Sequence, residues 1–150
     1  MKISRRHAIL GGGAFGLVAV GGLVALRTPL RAQDVRLLTP PEALAEVRAG
    51  KLLLVDVRRP DEWSRTGIAE GAVPIDLRRD DFIEAVRAAR ANPQQPIAVI
   101  CARGVRSARM TRALTEAGIT PLVDVPEGML GSRAGPGWLE RGLPVREYNE

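Results

Sequence analysis

The sequence predicts an α/β domain built on a parallel β-sheet with helices on both faces. Apolar runs of strand length, LLLVDV at 52–57 and IAVI at 97–100, are typical of strands that are buried on both faces. Segments with helical spacing of apolar residues separate these runs, and strands that alternate with helices form parallel sheets. At 150 residues, the chain is long enough for one domain of this kind.

A first helix is predicted within the stretch LLTPPEALAEVRAG. Thr39 and Glu42 have the spacing of a capping box, and two prolines fill the first helical positions between them. Leu44 and Val47 share the inward face of this helix. Gly50 is placed to end it, because glycine accepts the backbone conformation that follows a helix.

Four strands are predicted after this helix, at 52–57, 72–77, 97–100 and 121–125. The second of them is weaker, and its Pro74 indicates an edge strand because proline cannot donate to a central ladder. Helices are predicted between the strands, at 60–65, from Asp80 to Asn92, and from Arg106 or Ser107 to Gly118.

The basic excess of the chain lies in its first 32 residues. The formal net charge is +5, and residues 1–32 hold five basic side chains and no acidic one. The other 17 basic side chains are balanced by 17 acidic ones in residues 33–150. This neutral body has no basic helix interleaved with aromatic residues, so it does not fit a nucleic-acid-binding domain. We therefore predict a leader at 1–32 and one domain at 33–150.

The leader is typical of an export signal. Basic residues in MKISRRHAIL precede the uncharged stretch 8–26, as in a signal peptide. The pair Arg5 and Arg6 resembles a twin-arginine signal. Cleavage after Ala32 predicts a periplasmic domain. The uncharged stretch is also just long enough to span a bilayer, and an uncleaved leader would anchor the domain to the inner membrane, facing the periplasm.

The only cysteine, Cys101, directly follows the predicted strand 97–100. Ligands of open α/β sheets bind at the carboxyl ends of the strands, which is where this residue lies. The next helix begins a few residues later, so its free N–H groups and the positive end of its dipole point toward the sulfur. Together with Arg103 and Arg106, this environment favours the thiolate, and we expect a reactive nucleophile.

Gly104 lets the loop after the cysteine turn tightly, so that successive backbone N–H groups converge into an anion-binding nest. A lone cysteine is ordinarily an inert core residue. Only the order of strand, cysteine, glycine, arginine and helix favours a reactive one. The single histidine, His7, lies in the leader, so no cysteine–histidine pair is available. The sequence offers no metal-binding constellation, and we expect no cofactor.

The loop CARGVRS at 101–107 resembles the active loop of the rhodaneses, a family of sulfurtransferases. The stretch 52–77 is similar to the family's Asp-x-Arg strand end, its acidic-aromatic turn and its Gly-Ala pair before the next strand. PGWLERGLPV at 136–145 is similar to the C-terminal signature of the family. The likeness extends over residues 35–147. It implies a rhodanese-like fold, with a central, mostly parallel five-stranded sheet covered by helices on both faces.

The resemblance implies covalent sulfur transfer through Cys101. The thiolate takes sulfur from thiosulfate or a persulfide donor, and the resulting persulfide passes it to cyanide or to a thiol acceptor, which can belong to a partner protein. Arg103 and Arg106 are candidates for binding an anionic donor or for shaping the loop. The backbone amides of residues 102–106 would hold the outer sulfur. The loop assigned to persulfide binding comprises Ala102, Arg103, Gly104, Val105, Arg106 and Ser107.

Asp56 and Arg58 end the neighbouring strand, and the resemblance implies that they brace the loop. Trp63 and Trp138 are expected to pack in the core rather than to bind substrate. No nucleic acid is expected as a partner, and a membrane only through an uncleaved leader.

Two features depart from the family pattern. Thr66-Gly67-Ile68 stands where many members have Gly-His-Ile. GMLGSRAGPGW at 128–138 is longer than the usual link between the last strand and the tryptophan. The extra residues 129–137 leave the shape of the substrate site open.

Two alternative functions stay open on the sequence alone. Some phosphatases share this fold, but they need an arginine six positions after the cysteine, where this chain has Ser107. The shorter loop suits a single sulfur atom better than a phosphate group, and Ile100 replaces the histidine that often precedes the phosphatase cysteine. The second alternative is a non-enzymatic sulfur carrier, which needs the same cysteine and the same loop.

Overall fold

The computed structural model describes residues 35–149, and the predicted leader at 1–32 lies outside them. Within this part the chain forms seven strands and five helices. The strands are β1 (Val35–Leu37), β2 (Leu53–Asp56), β3 (Ile68–Ala69), β4 (Ala72–Pro74), β5 (Ile97–Ile100), β6 (Leu122–Asp124) and β7 (Val145–Arg146). The helices are α1 (Pro40–Arg48), α2 (Pro60–Thr66), α3 (Phe82–Ala89), α4 (Val105–Glu116) and α5 (Gly137–Glu140).

Five of these strands form one sheet in the order β1-β6-β5-β2-β4. Every neighbouring pair in this sheet is parallel, which confirms the predicted fold class. β5 lies in the centre, between β6 and β2. β4 lies at one edge, as Pro74 predicts.

Side chains alternate between the two faces of the sheet and divide the core into two halves. On β5, Ala98 and Ile100 contribute to the half that contains side chains of α1, α2 and α5. Ile97 and Val99 contribute to the other half, together with side chains of α3 and α4. Helices therefore cover both faces, as predicted. Cys101 continues the alternation and belongs to the half-core of α3 and α4.

The structure corrects several predicted bounds. β1 is not among the predicted strands, because three mostly exposed residues are too few to form a recognisable apolar pattern. The strand predicted at 72–77 ends at Pro74, since Asp76 accepts a hydrogen bond from the backbone N–H of Arg78 and turns the chain. α4 begins at Val105, one or two residues earlier than predicted, because Gly104 is its cap in the left-handed conformation.

β3 and β7 form a separate antiparallel pair that the sequence did not predict. Each strand has two residues, so neither produces a period-two pattern. The pair attaches the C-terminal segment of the chain to the end of α2.

The predicted cap of α1 is confirmed. The carboxylate of Glu42 accepts hydrogen bonds from the backbone N–H of Thr39 at 2.8 Å and from its hydroxyl at 2.7 Å. Leu44 is buried and Val47 half-buried, as the spacing predicts. None of the helices in residues 35–149 is long and apolar enough to span a membrane.

Candidate active site

Cys101 lies immediately beyond β5, at the carboxyl end of the central strand. Neighbouring segments fix its backbone on both sides. Val57 donates to the carbonyl of Ile100 at 3.0 Å, and Met129 donates to the carbonyl of Cys101 itself at 2.8 Å. The residue is 1% exposed. The thiol is therefore held at a fixed point under the loop that follows it.

The cysteine loop, residues 101–107, turns back over the sulfur. The backbone N–H of Gly104 donates to Sγ of Cys101 at 3.2 Å. The φ angle of Gly104 is +84°, and a Cβ at this position would overlap the carbonyl oxygen of Pro126. Both observations require glycine here. The turn aims one N–H group directly at the sulfur, as an anion nest does.

The N-terminus of α4 faces the same sulfur. This helix has 12 residues and starts one residue after Gly104. Its first N–H groups have no partners within the helix, and its dipole places positive potential at this end. Among the amides of residues 102–106, that of Gly104 alone donates to Sγ. Together these features place positive potential beside the sulfur.

Arg106 is held by Glu62, which lies on α2 across the cysteine loop. Two hydrogen bonds of 2.6 Å join the guanidinium to the two carboxylate oxygens. These bonds are the largest cause that lowers the pKa of Glu62 from 4.5 to about 2. They also raise the pKa of Arg106, with a smaller contribution from the charge of Cys101. The site residue Arg106 is thus engaged by a carboxylate that sequence reasoning missed.

The remaining loop residues divide into exposed and buried ones. Arg103 is exposed, and its Nη1 donates to the carbonyl of Gly131 at 3.3 Å. Val105 is 79% exposed. Ala102 is buried, and so is Ser107, whose hydroxyl donates to the carbonyl of Gly104 at 2.9 Å. The loop therefore presents one cation and one apolar side chain to solvent.

Asp56 and Arg58 form a buried ion pair. Nη2 of Arg58 donates to the carboxylate of Asp56 at 2.7 Å, and both side chains are almost fully buried. Nη1 of Arg58 donates to the hydroxyl of Thr66 at 2.7 Å. Thr66, which departs from the family pattern, therefore helps to hold the Arg58 side chain. None of the hydrogen bonds of Arg58 goes to residues 101–107. Arg58 instead donates to Thr66 and to the carbonyl of Glu62 on α2, so the predicted bracing of the loop would have to be indirect, through α2.

The segment 126–138 lies against the cysteine loop, and we call it the backing segment. It includes the stretch 128–138, which the sequence marked only as longer than usual. The N–H of Met129 donates to the carbonyl of Cys101, and that of the following residue to the carbonyl of Ala102, both at 2.8 Å. A Cβ on Gly128 would lie 2.5 Å from the carbonyl oxygen of Ala102. The backing segment thus extends the sheet's backbone hydrogen bonding beyond the reactive residue.

Glu127 anchors the backing segment. Its buried carboxylate accepts hydrogen bonds from the backbone N–H of Gly137 at 2.9 Å and from Nε of Arg141 at 2.8 Å. Arg141 keeps the pKa of Glu127 below its usual value. The signal that could have revealed this compact structure is the concentration of glycines in the segment: Gly128, Gly131, Gly135 and Gly137.

The two tryptophans lie in the core, as expected. Trp138 and Trp63 are both buried among apolar side chains, and Trp138 also donates from its indole nitrogen to the carbonyl of Pro144 at 2.9 Å. His7 lies outside the described residues. Within residues 35–149, no group of three or more His, Cys, Asp or Glu side chains is arranged to hold a metal ion.

The family of the chain follows from a comparison with protein-family models. The model of the rhodanese-like domain matches residues 39–132. The chain belongs to the rhodanese-like family. The comparison with curated protein sequences gives no match.

Solved structures with the same fold include sulfurtransferases. The polysulfide-sulfur transferase homodimer from Wolinella succinogenes is 25% identical, with a TM-score of 0.60 over 79% of this chain and 82% of that one. Rv0390 from M. tuberculosis is 29% identical, with a TM-score of 0.61 over 76% of this chain and 98% of that one.

The thiosulfate sulfurtransferase from Pseudomonas aeruginosa is 23% identical, with a TM-score of 0.63. The match covers 78% of this chain but only 21% of that one. This likeness concerns the fold alone. The fold of this chain therefore matches a nearly whole chain in one solved structure and part of a longer chain in another.

Proposed function

We propose that this rhodanese-like protein is a sulfurtransferase that carries sulfane sulfur as a persulfide on Cys101. The single observation that carries the proposal is the hydrogen bond from Gly104 to Sγ at the N-terminus of α4. This geometry places a backbone donor and the positive end of the α4 dipole beside the sulfur, where they would stabilise the attacking thiolate and a second sulfur atom bound to it.

The proposed reaction has two redox-neutral steps. First, the Cys101 thiolate attacks the outer sulfur of thiosulfate. A new S–S bond forms, the S–S bond of thiosulfate breaks, and sulfite leaves with the electron pair. Second, cyanide or a thiolate acceptor attacks the outer sulfur of the persulfide, and the Cys101 thiolate leaves. The two steps share one covalent intermediate, so ping-pong kinetics are expected.

The two arginines of the loop have different proposed roles. Arg103 is exposed and makes one long hydrogen bond to a carbonyl, so its charge is available to an anionic donor. Arg106 is engaged in two short bonds with Glu62, so its proposed role is to hold the start of α4 over the sulfur. The same pairing speaks against a phosphatase, which would need a free arginine for its phosphate oxygens.

A sulfur carrier that serves a partner protein is the second candidate. Val105 and Leu130 are 79% and 41% exposed and belong to the cysteine loop and the backing segment next to it. Exposed apolar side chains beside a reactive group suit contact with a protein acceptor. The carrier and the enzyme use the same persulfide and differ only in turnover with small acceptors.

The proposed location is the periplasm, reached through the predicted leader, with an inner-membrane anchor as the alternative. An exported domain ordinarily uses cysteines in disulfide-bonded pairs. This sequence has one cysteine, so a persulfide on it must be discharged by an external nucleophile.

The test uses the full-length protein, incubated with thiosulfate and analysed by intact mass spectrometry without reductant. We expect a gain of one sulfur, about 32 Da, that cyanide removes with release of thiocyanate. Cys101→Ser is the control, since a serine oxygen can still accept the N–H of Gly104 and the fold should persist. The absence of sulfur uptake by the wild-type protein, or equal uptake by the folded Cys101→Ser variant, overturns the proposal. Steady-state turnover of thiosulfate with cyanide then separates the enzyme from the carrier.

A further inference from the structure

A groove runs along the exposed face of α4, beside the cysteine loop. Two neighbouring clefts form it, and both are lined by Ala108 of α4 and by Asp124 at the end of β6. One cleft, of about 200 Å³, extends to Val35 on β1. The other, of about 380 Å³, extends to Gly104 and Val105 in the cysteine loop. We call this depression the α4 groove, and one of its ends adjoins the loop that covers the reactive sulfur.

Arginines without a carboxylate partner surround the α4 groove. Arg112 lines the first cleft, Arg103 and Arg133 line the second, and all three side chains are exposed. Arg109, three residues before Arg112 on the same helix, is exposed as well. Within residues 35–149 none of these four arginines forms an ion pair, whereas most arginines elsewhere in these residues do. The surface around the groove is therefore positive, although residues 33–150 as a whole are formally neutral.

Between the arginines the groove presents small apolar side chains. Val105 is 79% exposed, and Ala108, about one helical turn further along α4, is exposed too. Asp124 is the one acidic residue among the described residues that line the two clefts, and it is only 6% exposed. Its carboxyl group therefore has little contact with the contents of the groove. A ligand would meet apolar surface flanked by unpaired positive charge.

The shape and charge of the groove fit an elongated acidic protein segment. Small-molecule pockets have volumes of roughly 300–1,000 Å³, so two separate clefts at or below the low end of that range suit a chain better than a compact ligand. No Trp, Tyr or Phe lines either cleft within the part of the chain that the structure describes, so bases of a nucleic acid have no stacking platform here. A bilayer surface is too flat to enter a groove.

We propose that the α4 groove is the docking surface for an extended, acidic segment of the protein that receives sulfur from Cys101. Carboxylates of the segment pair with Arg103, Arg112 and Arg133, and its small apolar side chains pack on Val105 and Ala108. This inference rests on the proposed function and names the class of acceptor. The acceptor's thiolate then reaches the cysteine loop and attacks the outer sulfur, as in the second step of the proposed reaction. Charge complementarity of this kind accelerates the encounter of the partners and weakens with salt.

A charge swap at Arg112, which lies outside the cysteine loop and the backing segment, tests the proposal. The full-length protein is loaded with thiosulfate, freed of excess donor and mixed with a short synthetic peptide that has glutamates and serines on both sides of one cysteine. A second peptide has lysines in place of the glutamates. Intact mass against time measures the transfer of sulfur to each peptide.

At low ionic strength, we expect the wild-type protein to transfer sulfur to the acidic peptide about tenfold faster than to the basic one. High salt should reduce this preference. Arg112→Glu should slow transfer to the acidic peptide and accelerate transfer to the basic peptide. Arg87→Glu, on α3 outside the groove, makes the same change of charge and should keep the wild-type preference. Equal rates for the two peptides, or an unchanged preference in Arg112→Glu, overturn the inference.

Binding is measured separately, without sulfur chemistry. The acidic peptide with serine in place of its cysteine carries a fluorescent label for anisotropy, and amide NMR should show its largest shifts at Ala108 and Arg112. Stronger binding to anionic phospholipid vesicles or to single-stranded DNA at the same salt overturns the choice of a protein segment. A dimer of the protein alone that Arg112→Glu dissociates also overturns it, because a second copy would then fill the groove. If the peptide binds in the groove but Cys101 takes up no sulfur, the proposed function fails and the docking surface stands.

Discussion

The guanidinium of Arg106 and the carboxylate of Glu62 make two hydrogen bonds of 2.6 Å across the mouth of the cysteine loop. The pair joins α2 to the first turn of α4, between residues that lie far apart in the sequence. An arginine of the reactive loop is thus paired with a carboxylate before any anion arrives. The proposed function therefore assigns loop shape and donor binding to different residues, Arg106 and Arg103.

The ion pair between Arg106 and Glu62 should make the free energy of unfolding depend on pH in the acid range. The pKa of Glu62 is lowered to about 2, so its contribution is fully present above the unfolded value near 4.5 and is lost as the pH falls toward 2. Between these values, the free energy of unfolding of the wild-type protein should fall more steeply than that of Glu62→Gln. Urea unfolding at a series of pH values measures both. Glu70→Gln, which breaks an exposed ion pair with Arg48, should leave the wild-type slope nearly unchanged.

Substitution of Gly104 by alanine should displace the loop. A Cβ there would overlap the carbonyl of Pro126, and φ of +84° is unfavourable for alanine. We expect sulfur uptake by Cys101 to fall at least about tenfold, because the N–H that faces the sulfur moves away. Gly118→Ala is the matched control, since Gly118 has a φ of +74° and nothing within 4 Å of the added carbon. If both variants take up sulfur like the wild-type protein, the Gly104 amide is not the group that matters.

The backing segment should affect the chemistry without contacting the sulfur. In Gly128→Ala, the new carbon would lie 2.5 Å from the carbonyl oxygen of Ala102. The base of the cysteine loop must shift, and we expect slower sulfur uptake in a folded protein, measured by intact mass against time. Gly142→Ala has a similar backbone strain and no neighbour within 4 Å, so it should react normally. Equal rates for the two variants would contradict a supporting role of the segment.

Arg103 should determine the affinity for an anionic donor. Replacing it by glutamine removes the exposed charge of the loop, so the KM for thiosulfate should rise about tenfold with a smaller change in kcat. A neutral persulfide donor should be affected less. Arg87→Gln, in the last turn of α3, removes an equal charge from a residue outside the cysteine loop and the backing segment, and should leave the KM unchanged. An unchanged KM in Arg103→Gln would move donor recognition to other residues.

The elements on either side of Cys101 could be predicted from the sequence. β5 was predicted with its exact bounds, because a four-residue apolar run between turn residues has one interpretation in an α/β pattern. The turn at Gly104 followed from the loop's residue types, although α4 was predicted to start one or two residues later than it does. The edge position of β4 followed from the missing N–H of Pro74. These are local signals, and they depend on a few consecutive residues.

The missed features are all long-range. Glu62 is one carboxylate among many until the fold places it against Arg106. β3 and β7 are too short to show a period-two pattern of apolar residues, and they pair although they lie far apart in the sequence. Asp124, at the end of β6, is recognised as unusual only by its burial and by its side-chain Oδ1, which no hydrogen-bond donor reaches. In the backing segment the glycines could have indicated tight turns, a signal that sequence reasoning did not use, and nothing in the sequence indicated that those turns pack against Ala102.

The carbonyl of Cys101 accepts a hydrogen bond from the backbone N–H of Met129, and β5, which precedes Cys101, is paired with a strand on each side. A sulfur atom carried here could move only a short distance, because beyond the fixed backbone it would be attached through the short Cys101 side chain and an S–S bond of roughly 2 Å. If Cys101 carries the proposed persulfide, the acceptor's nucleophile has to enter the loop in line with the S–S bond. Selection among acceptors would then depend on how far the nucleophilic group projects and on how wide it is. A slender anion or a thiolate on a projecting side chain fits, and a recessed cysteine does not.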